Sequence, residues 1–388
     1  MRIVVSGLVA TYPLGGVGWD YLAYVDGFRR LGHDVLYLED TGAWFYHPAD
    51  QTFSDDPAPN LRYLADAFAA IGASDTAWSV RAPDDTHHGL DSAAVQRFCR
   101  GADLFLNVSG CCWLRDEYGG ARRTAYLDTD PGYTQAKLWA AAHDCATEDQ
   151  LFSVNLIRRH DRFLTYAEHI GASDCRVPSC GLEWTPTRPP VVLERWPFSF
   201  DAAARYFTTV MSWTLETAPP VIDGVRYGGK DIEFRRFLEL PRHSPVRLEV
   251  AIAGAAPRAE LAAAGWQVVD AHERSRTMGQ YQAYLQASRG EWSVAKHIYV
   301  ALRSGWFSTR SAVYLALGKP VVVQDTGWSA HYPTGAGLFA FDTLEQATAA
   351  LRSVEGDYRR HCEAARAVAE QELAAPLVLQ RLLQDVGL

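Results

Sequence analysis

Ser308, Thr309, Arg310 and Ser311 form an unbroken run of small hydroxyl and cationic side chains, and they stand directly before the apolar helix formers Ala312 to Leu317. Serine and threonine at a helix start satisfy free N–H groups or leave them to a ligand, and those N–H groups with the helix dipole favour an anion such as phosphate. Arg310 adds a planar fork of donors that matches phosphate geometry. Gly318 stops the helix, and Lys319-Pro320 leads into Val321-Val322-Val323, a β-branched run suited to a strand buried on both faces of a parallel sheet. The chain leaves that strand through Asp325, Thr326 and Gly327. In open α/β sheets ligands collect at this carboxyl end, so the segment predicts an anion site.

Other residues fit the same chemistry. Lys230 follows the Gly228-Gly229 turn at a helix start, from which an ammonium reaches across a cleft to a diphosphate. Lys296 and His297 follow the strand-like Glu291 to Val294, and Ser212 ends the strand Tyr206 to Trp213. Near the start, Gly15, Gly16 and Gly18 supply the small residues that let a ligand approach backbone, with Trp19 behind them. Trp19 and Tyr133 neighbour expected cleft loops, where rings stack on sugars or bases. A structural reading competes at each position: helix caps, a surface ion pair, an Asx turn before Pro131-Gly132, core packing.

These residues need elements to position them. Arg2 to Ser6, a Gly-rich loop to Gly18, a helix from about Trp19 to Leu31 and Asp34 to Leu38 form a strand, loop, helix, strand unit. Further strands at Leu104 to Val108, Arg123 to Asp128 and Arg162 to Tyr166 alternate with helices, which implies a parallel sheet flanked by helices. Pro186, Pro189, Pro190 and Pro197 mark an extended linker. After it a second series runs through Arg247 to Ala253, Trp266 to Val269 and the helix Met278 to Ala287 to the opening segment. The spacing predicts an α/β protein with Rossmann-like domains at 1–190 and 191–370, and a terminal helix at 371–388 that packs back on the first domain.

The 388 residues, 48% hydrophobic, support two cores. A net charge of −9 argues against tracking nucleic acid or an anionic membrane, so a phosphate is held locally. No run approaches 18 apolar residues and the start reads as no signal peptide, so a cytoplasmic protein without a transmembrane segment is expected. Seven scattered cysteines without C-x-x-C spacing read as reduced thiols rather than metal ligands.

Two Rossmann-like halves, the Gly-rich first loop and Gly318-Lys-Pro-Val-Val322 together resemble the GT-B glycosyltransferases. The resemblance implies transfer of a sugar from a nucleoside-diphosphate sugar to a hydroxyl or amine of a small-molecule acceptor, without a cofactor or metal. It places the donor on Ser212, Lys230, Lys296, His297, Ser308 to Ser311 and Asp325 to Gly327, with Asp325 toward the transferred sugar. The acceptor falls near Gly15, Gly16, Gly18, Trp19, Asp130 and Tyr133. The glutamate pair of a retaining subset is absent, since the two positions fall on Gly305 and Val313. An inverting transfer needs a general base; Asp128 at a strand end is the first candidate and Asp20 the second. Three alternatives stay open: an epimerase of nucleotide sugars on the same plan, a non-catalytic sugar-nucleotide-binding protein, and an NAD-dependent oxidoreductase with Glu39 on the ribose, though the long loop from Ser6 to Gly18 departs from a dinucleotide fingerprint.

Overall fold

The computed structural model describes residues 1–214 and 218–388. Two sheets organise it, and both are parallel at their centres. In the first, the strand order is Trp184–Pro186, Arg162–Thr165, Arg123–Asp128, Leu104–Val108, Arg2–Ser6, Asp34–Glu39, Ala77–Arg81 and His87–Gly89, the last pair antiparallel. In the second it is Gln267–Asp270, Arg247–Ala253, Tyr206–Ser212, Gly290–Ser293, Val321–Gln324 and Leu338–Phe341, parallel throughout. Central strands such as Leu104–Val108 and Val321–Gln324 are buried along their whole length, which is why they read as continuous apolar runs.

Some elements depart from the sequence expectation. The first helix begins at Gly15, so Gly15, Gly16 and Gly18 are its first turn and not a loop. Part of the expected linker, Trp184–Pro186, pairs as an edge strand, a position that tolerates proline. The tail breaks at Leu373-Ala374, and Pro376 sits in the first turn of the helix Ala375–Asp385, where its missing N–H costs nothing.

That last helix lies on the first one. Leu379 fills the space above Gly27, where a Cβ would stand 2.4 Å from the leucine. Arg123 Nε donates to the carbonyl of Val386 at 3.1 Å. The chain crosses between the halves twice in the same place: Val191 N donates to Leu373 O and Ala375 N to Val191 O, each at 2.8 Å. The carboxyl ends of both sheets therefore look into one cleft.

Candidate active site

Two cavities of about 700 and 710 Å³ occupy the cleft and share Ser212, Thr214 and Lys296 in their walls. The strand Gly290–Ser293 carries Glu291 into the interior, fully buried, and the helix Thr309–Ala316 brings Arg310 to it at 2.7 Å. Arg310 also donates to the carbonyl of Val210 and to Ser293 Oγ, both at 2.7 Å. Its fork is thus committed largely to the protein, while the side chain still lines the cleft. A buried carboxylate needs such a partner, and Glu291 is the cue in the sequence that Arg310 is held inside.

Lys230 and Lys296 complete a cationic group. Lys296 Nζ donates to Asp130 Oδ1 at 2.7 Å from across the cleft, and Tyr299 OH donates to the same oxygen. Burial pushes the Asp130 carboxyl up, but Lys296 and Tyr299 outweigh it and hold it below its usual value. Lys230 makes no hydrogen bond or ion pair among the described residues. Burial first, then the Arg310 and Lys296 charges, push its ammonium well below the ordinary lysine value. Two further cations close enough to act on Lys230, which itself lacks a carboxylate partner, make this a candidate anion site in a chain of net negative charge. The helix start beside them adds its own field: Ser308 sits at the N-cap position without capping, and Thr309 Oγ1 donates to Asp20 Oδ2 at 3.0 Å.

The two candidate bases differ in how far their oxygens are committed to the protein. Asp128 is 1% exposed, and its oxygens accept from Thr134 at 2.8 Å, Gln135 at 3.0 Å, Thr165 at 3.0 Å and the N–H of Asp130 at 3.2 Å. It organises the strand end and its turn, although it also lines the neighbouring cavity and burial raises its carboxyl to about 6. Asp20 lines the same cavity as Lys230 and Arg310, with Thr309 as its hydrogen-bond donor. Burial raises its carboxyl to about 7, against the lowering pull of Thr309 and Arg310.

Several expected ligand contacts are spent on structure. Asp325 accepts from the N–H groups of Gly327 and Ser329 and from Ser329 Oγ, capping the next turn; Thr326 Oγ1 donates to the carbonyl of Trp306. Gly327, at φ 97°, makes that turn, and none of the three lines the cleft cavities. His297 Nδ1 accepts from the N–H of Gly228 at 3.2 Å and so supports the turn that carries Lys230. Ser311 is buried, and its hydroxyl has no hydrogen-bond partner among the described residues. The first-turn glycines serve contact between the two halves: a Cβ on Gly15 would lie 2.4 Å from the carbonyl of Thr277, and one on Gly18 2.8 Å from Met278. Trp19 Nε1 donates to the Met278 carbonyl there, and of these positions only Gly16 borders the cavity. Ser212 and Tyr133 do line the cleft, Tyr133 with Lys296 Nζ 4.7 Å above its ring.

Sequence reasoning missed Glu291 as a site residue and Tyr299, whose ring stacks on Trp306 at 4.4 Å while Trp306 Nε1 donates across the cleft to the Thr129 carbonyl at 3.0 Å. Glu39 speaks against the dinucleotide alternative. It is fully buried and its oxygens are taken by the N–H groups of Ala10 and Thr11 and by the Thr11 and Tyr37 hydroxyls, leaving nothing for a ribose. Among the described residues no cluster of His, Cys, Asp and Glu is arranged for a metal, all seven cysteines are free, and no helix is long and apolar enough to cross a membrane.

No family profile matches the sequence, and no curated protein resembles it at the sequence level. Solved structures do resemble the fold. HepE of Anabaena, in complex with UDP-glucose, superposes with a TM-score of 0.57 at 12% identity, covering 98% of this chain and 98% of that one. AviGT4, a glycosyltransferase involved in avilamycin A biosynthesis, gives 0.55 at 12% identity over 99% and 96%. Sucrose-phosphate synthase of Thermosynechococcus elongatus gives 0.51 at 12% identity over 99% and 98%. The chain therefore has the two-domain fold of the GT-B glycosyltransferases.

Proposed function

We propose that the protein transfers a glycosyl group from a nucleoside-diphosphate sugar to a hydroxyl or amine of a small-molecule acceptor. The observation that carries this reading is Lys230, desolvated and without a carboxylate partner, grouped with Arg310 and Lys296 where both sheets end. Such a group neutralises a diphosphate as it leaves, with the N–H groups at the start of the helix Thr309–Ala316 adding to it. HepE, which shares the fold, was solved with UDP-glucose. AviGT4 acts in avilamycin A biosynthesis, and an acceptor from natural-product biosynthesis is proposed for this chain as well.

In this reading transfer is inverting and Asp20 is the base. The acceptor oxygen forms its bond to the anomeric carbon as the bond from that carbon to the diphosphate breaks. Asp20 takes the acceptor proton, and the cations keep the nucleoside diphosphate. A carboxyl near pH 7 is suited to that transfer. No cofactor or metal enters the step as proposed. The direct test is a thermal-shift screen with UDP, GDP, dTDP, CDP, NAD and NADP, because a ligand that binds only the folded state raises its melting temperature. A nucleoside diphosphate that stabilises the wild type and not Lys230→Ala is the expected result; stabilisation by NAD alone would reject the reading.

A further inference from the structure

Glu39 and Asn60 are fully buried polar side chains that lie outside the cationic group, and together they build something specific. Glu39 binds the backbone of Ala10 and Thr11 in the first loop. Asn60 Nδ2 donates to the carbonyls of Ala10 at 2.7 Å and Tyr46 at 2.9 Å, and Tyr46 N donates to the Thr11 carbonyl at 2.9 Å. These bonds fasten the first loop to a short hairpin, Phe45–His47 with Thr52–Ser54, in which Tyr46 is paired directly with Phe53. Buried hydrogen bonds of this kind fix one geometry, although Asn60 Oδ1 itself has no partner among the described residues.

That geometry presents aromatic rings to the cleft. Tyr12, Tyr46 and Phe53 meet in three mutual contacts with centroids 5.5 to 5.7 Å apart, the Tyr12 and Phe53 rings at 90°. All three line the cavity that holds Lys230 and Asp20, with Leu14 and Val17 beside them. Phe53 is 50% exposed. Apart from the tyrosines, the first-domain wall of this cavity has only Gln51 and Asp20 as polar side chains among the described residues.

We propose that this aromatic wall is the acceptor subsite, and that its acceptor is a planar aromatic or fused-ring compound bearing the hydroxyl that receives the sugar. The inference rests on the glycosyl-transfer reading and narrows it. A saccharide acceptor needs donors and acceptors around its ring plane, which this wall barely supplies. A flat apolar ring needs only edge and face contacts with the three rings, and it is held in the cavity that Asp20 also lines.

Direct titration of a fixed panel, 4-methylumbelliferone, resorufin and p-nitrophenol against methyl α-glucoside, decides the matter with wild type and Phe53→Ala. The proposal expects at least one phenol to bind wild type, to bind about tenfold more weakly to Phe53→Ala, and the glucoside not to bind. The tightest nucleoside diphosphate should keep its dissociation constant within about twofold in the variant. Failure of every phenol to bind, equal phenol affinity in the two proteins, binding of the glucoside alone, or loss of nucleotide affinity in Phe53→Ala would each overturn it, the last by giving the rings to the base. If no nucleoside diphosphate binds wild type while a phenol binds through Phe53, the aromatic subsite stands and the donor reading falls.

Discussion

A half-buried lysine with no carboxylate to hold it costs stability in the free protein, because desolvation penalises the ammonium and Arg310 and Lys296 repel it. Lys230→Ala is therefore expected to leave the melting temperature unchanged or to raise it, while weakening nucleoside diphosphate binding by about 1.5–3 kcal/mol, the usual size of a charge-assisted hydrogen bond. Calorimetric titration checks both arms, and equal affinity in wild type and variant would remove Lys230 from the donor site. Asp20 leads to a second expectation at this scale. Its carboxyl sits at about 7 when folded against an ordinary 3.8, so the folded state binds that proton more tightly than the unfolded one. Stability is lost as the pH rises through that window. Asp20→Asn should then raise the melting temperature more at pH 8 than at pH 5, and should lower turnover by about 10²–10⁴. Wild-type kcat/KM, which needs the ionised base, should climb up to about pH 7 and level above it. Asp128→Asn is expected to act mainly on stability, at about 1–3 kcal/mol, since it turns an acceptor of three side-chain bonds into a mixed donor. A normal melting temperature with dead turnover in Asp128→Asn would reverse the two roles.

Elements were legible wherever one local signal dominated. The run Val321 to Val323 after Gly318-Lys-Pro and the strands Arg2–Ser6, Leu104–Val108 and Arg247–Ala253 stand where their apolar runs put them. The start of the first helix was not legible, because glycine at three of its first four positions looks like a loop to any local rule, and its reason lies 259 positions away in the helix Met278–Ala287. The small hairpin under the aromatic wall was missed on the same grounds: three-residue strands carry too little alternation to read. The glycines give this account a test. On Gly15 a Cβ meets backbone oxygens of Thr277 and Ser275 at 2.4 and 2.9 Å, which cannot yield cheaply, whereas on Gly16 the nearest atoms are on the Tyr281 ring at 3.7 Å and beyond. Gly15→Ala should cost about 1–3 kcal/mol through overpacking at the contact between the halves. Gly16→Ala should gain up to about 1 kcal/mol from helix propensity. Thermal unfolding of both variants measures the difference, and equal effects would mean the halves are not held together through Gly15.

At the scale of the whole molecule the question is how a chain of net charge −9 manages a ligand that brings two more negative charges. The two-sheet plan and the segment before Gly318 pointed to an anion site at the cleft. The pairings that make the site could not be read, because Asp130 with Lys296, Asp20 with Thr309 and Trp306 with Thr129 join residues 166 to 289 positions apart. These same pairings bear on metal use. Asp128-Thr129-Asp130 is a D-x-D string, but its carboxylates are committed in different directions, Asp128 inward to Thr134, Gln135 and Thr165, Asp130 outward to Lys296 and Tyr299. A divalent ion held by both would have to break bonds on each. In the proposed reaction the charge on the leaving group is met instead by Lys230, Lys296, Arg310 and the helix start, with no ion entering the step. Turnover should accordingly persist in excess chelator, and nucleoside diphosphate affinity should fall as salt screens the cations. Activity abolished by chelator and restored only by Mg²⁺ or Mn²⁺ would show that Asp130 leaves Lys296 for a metal during the reaction, and would reassign the cations from catalysis to holding the cleft closed.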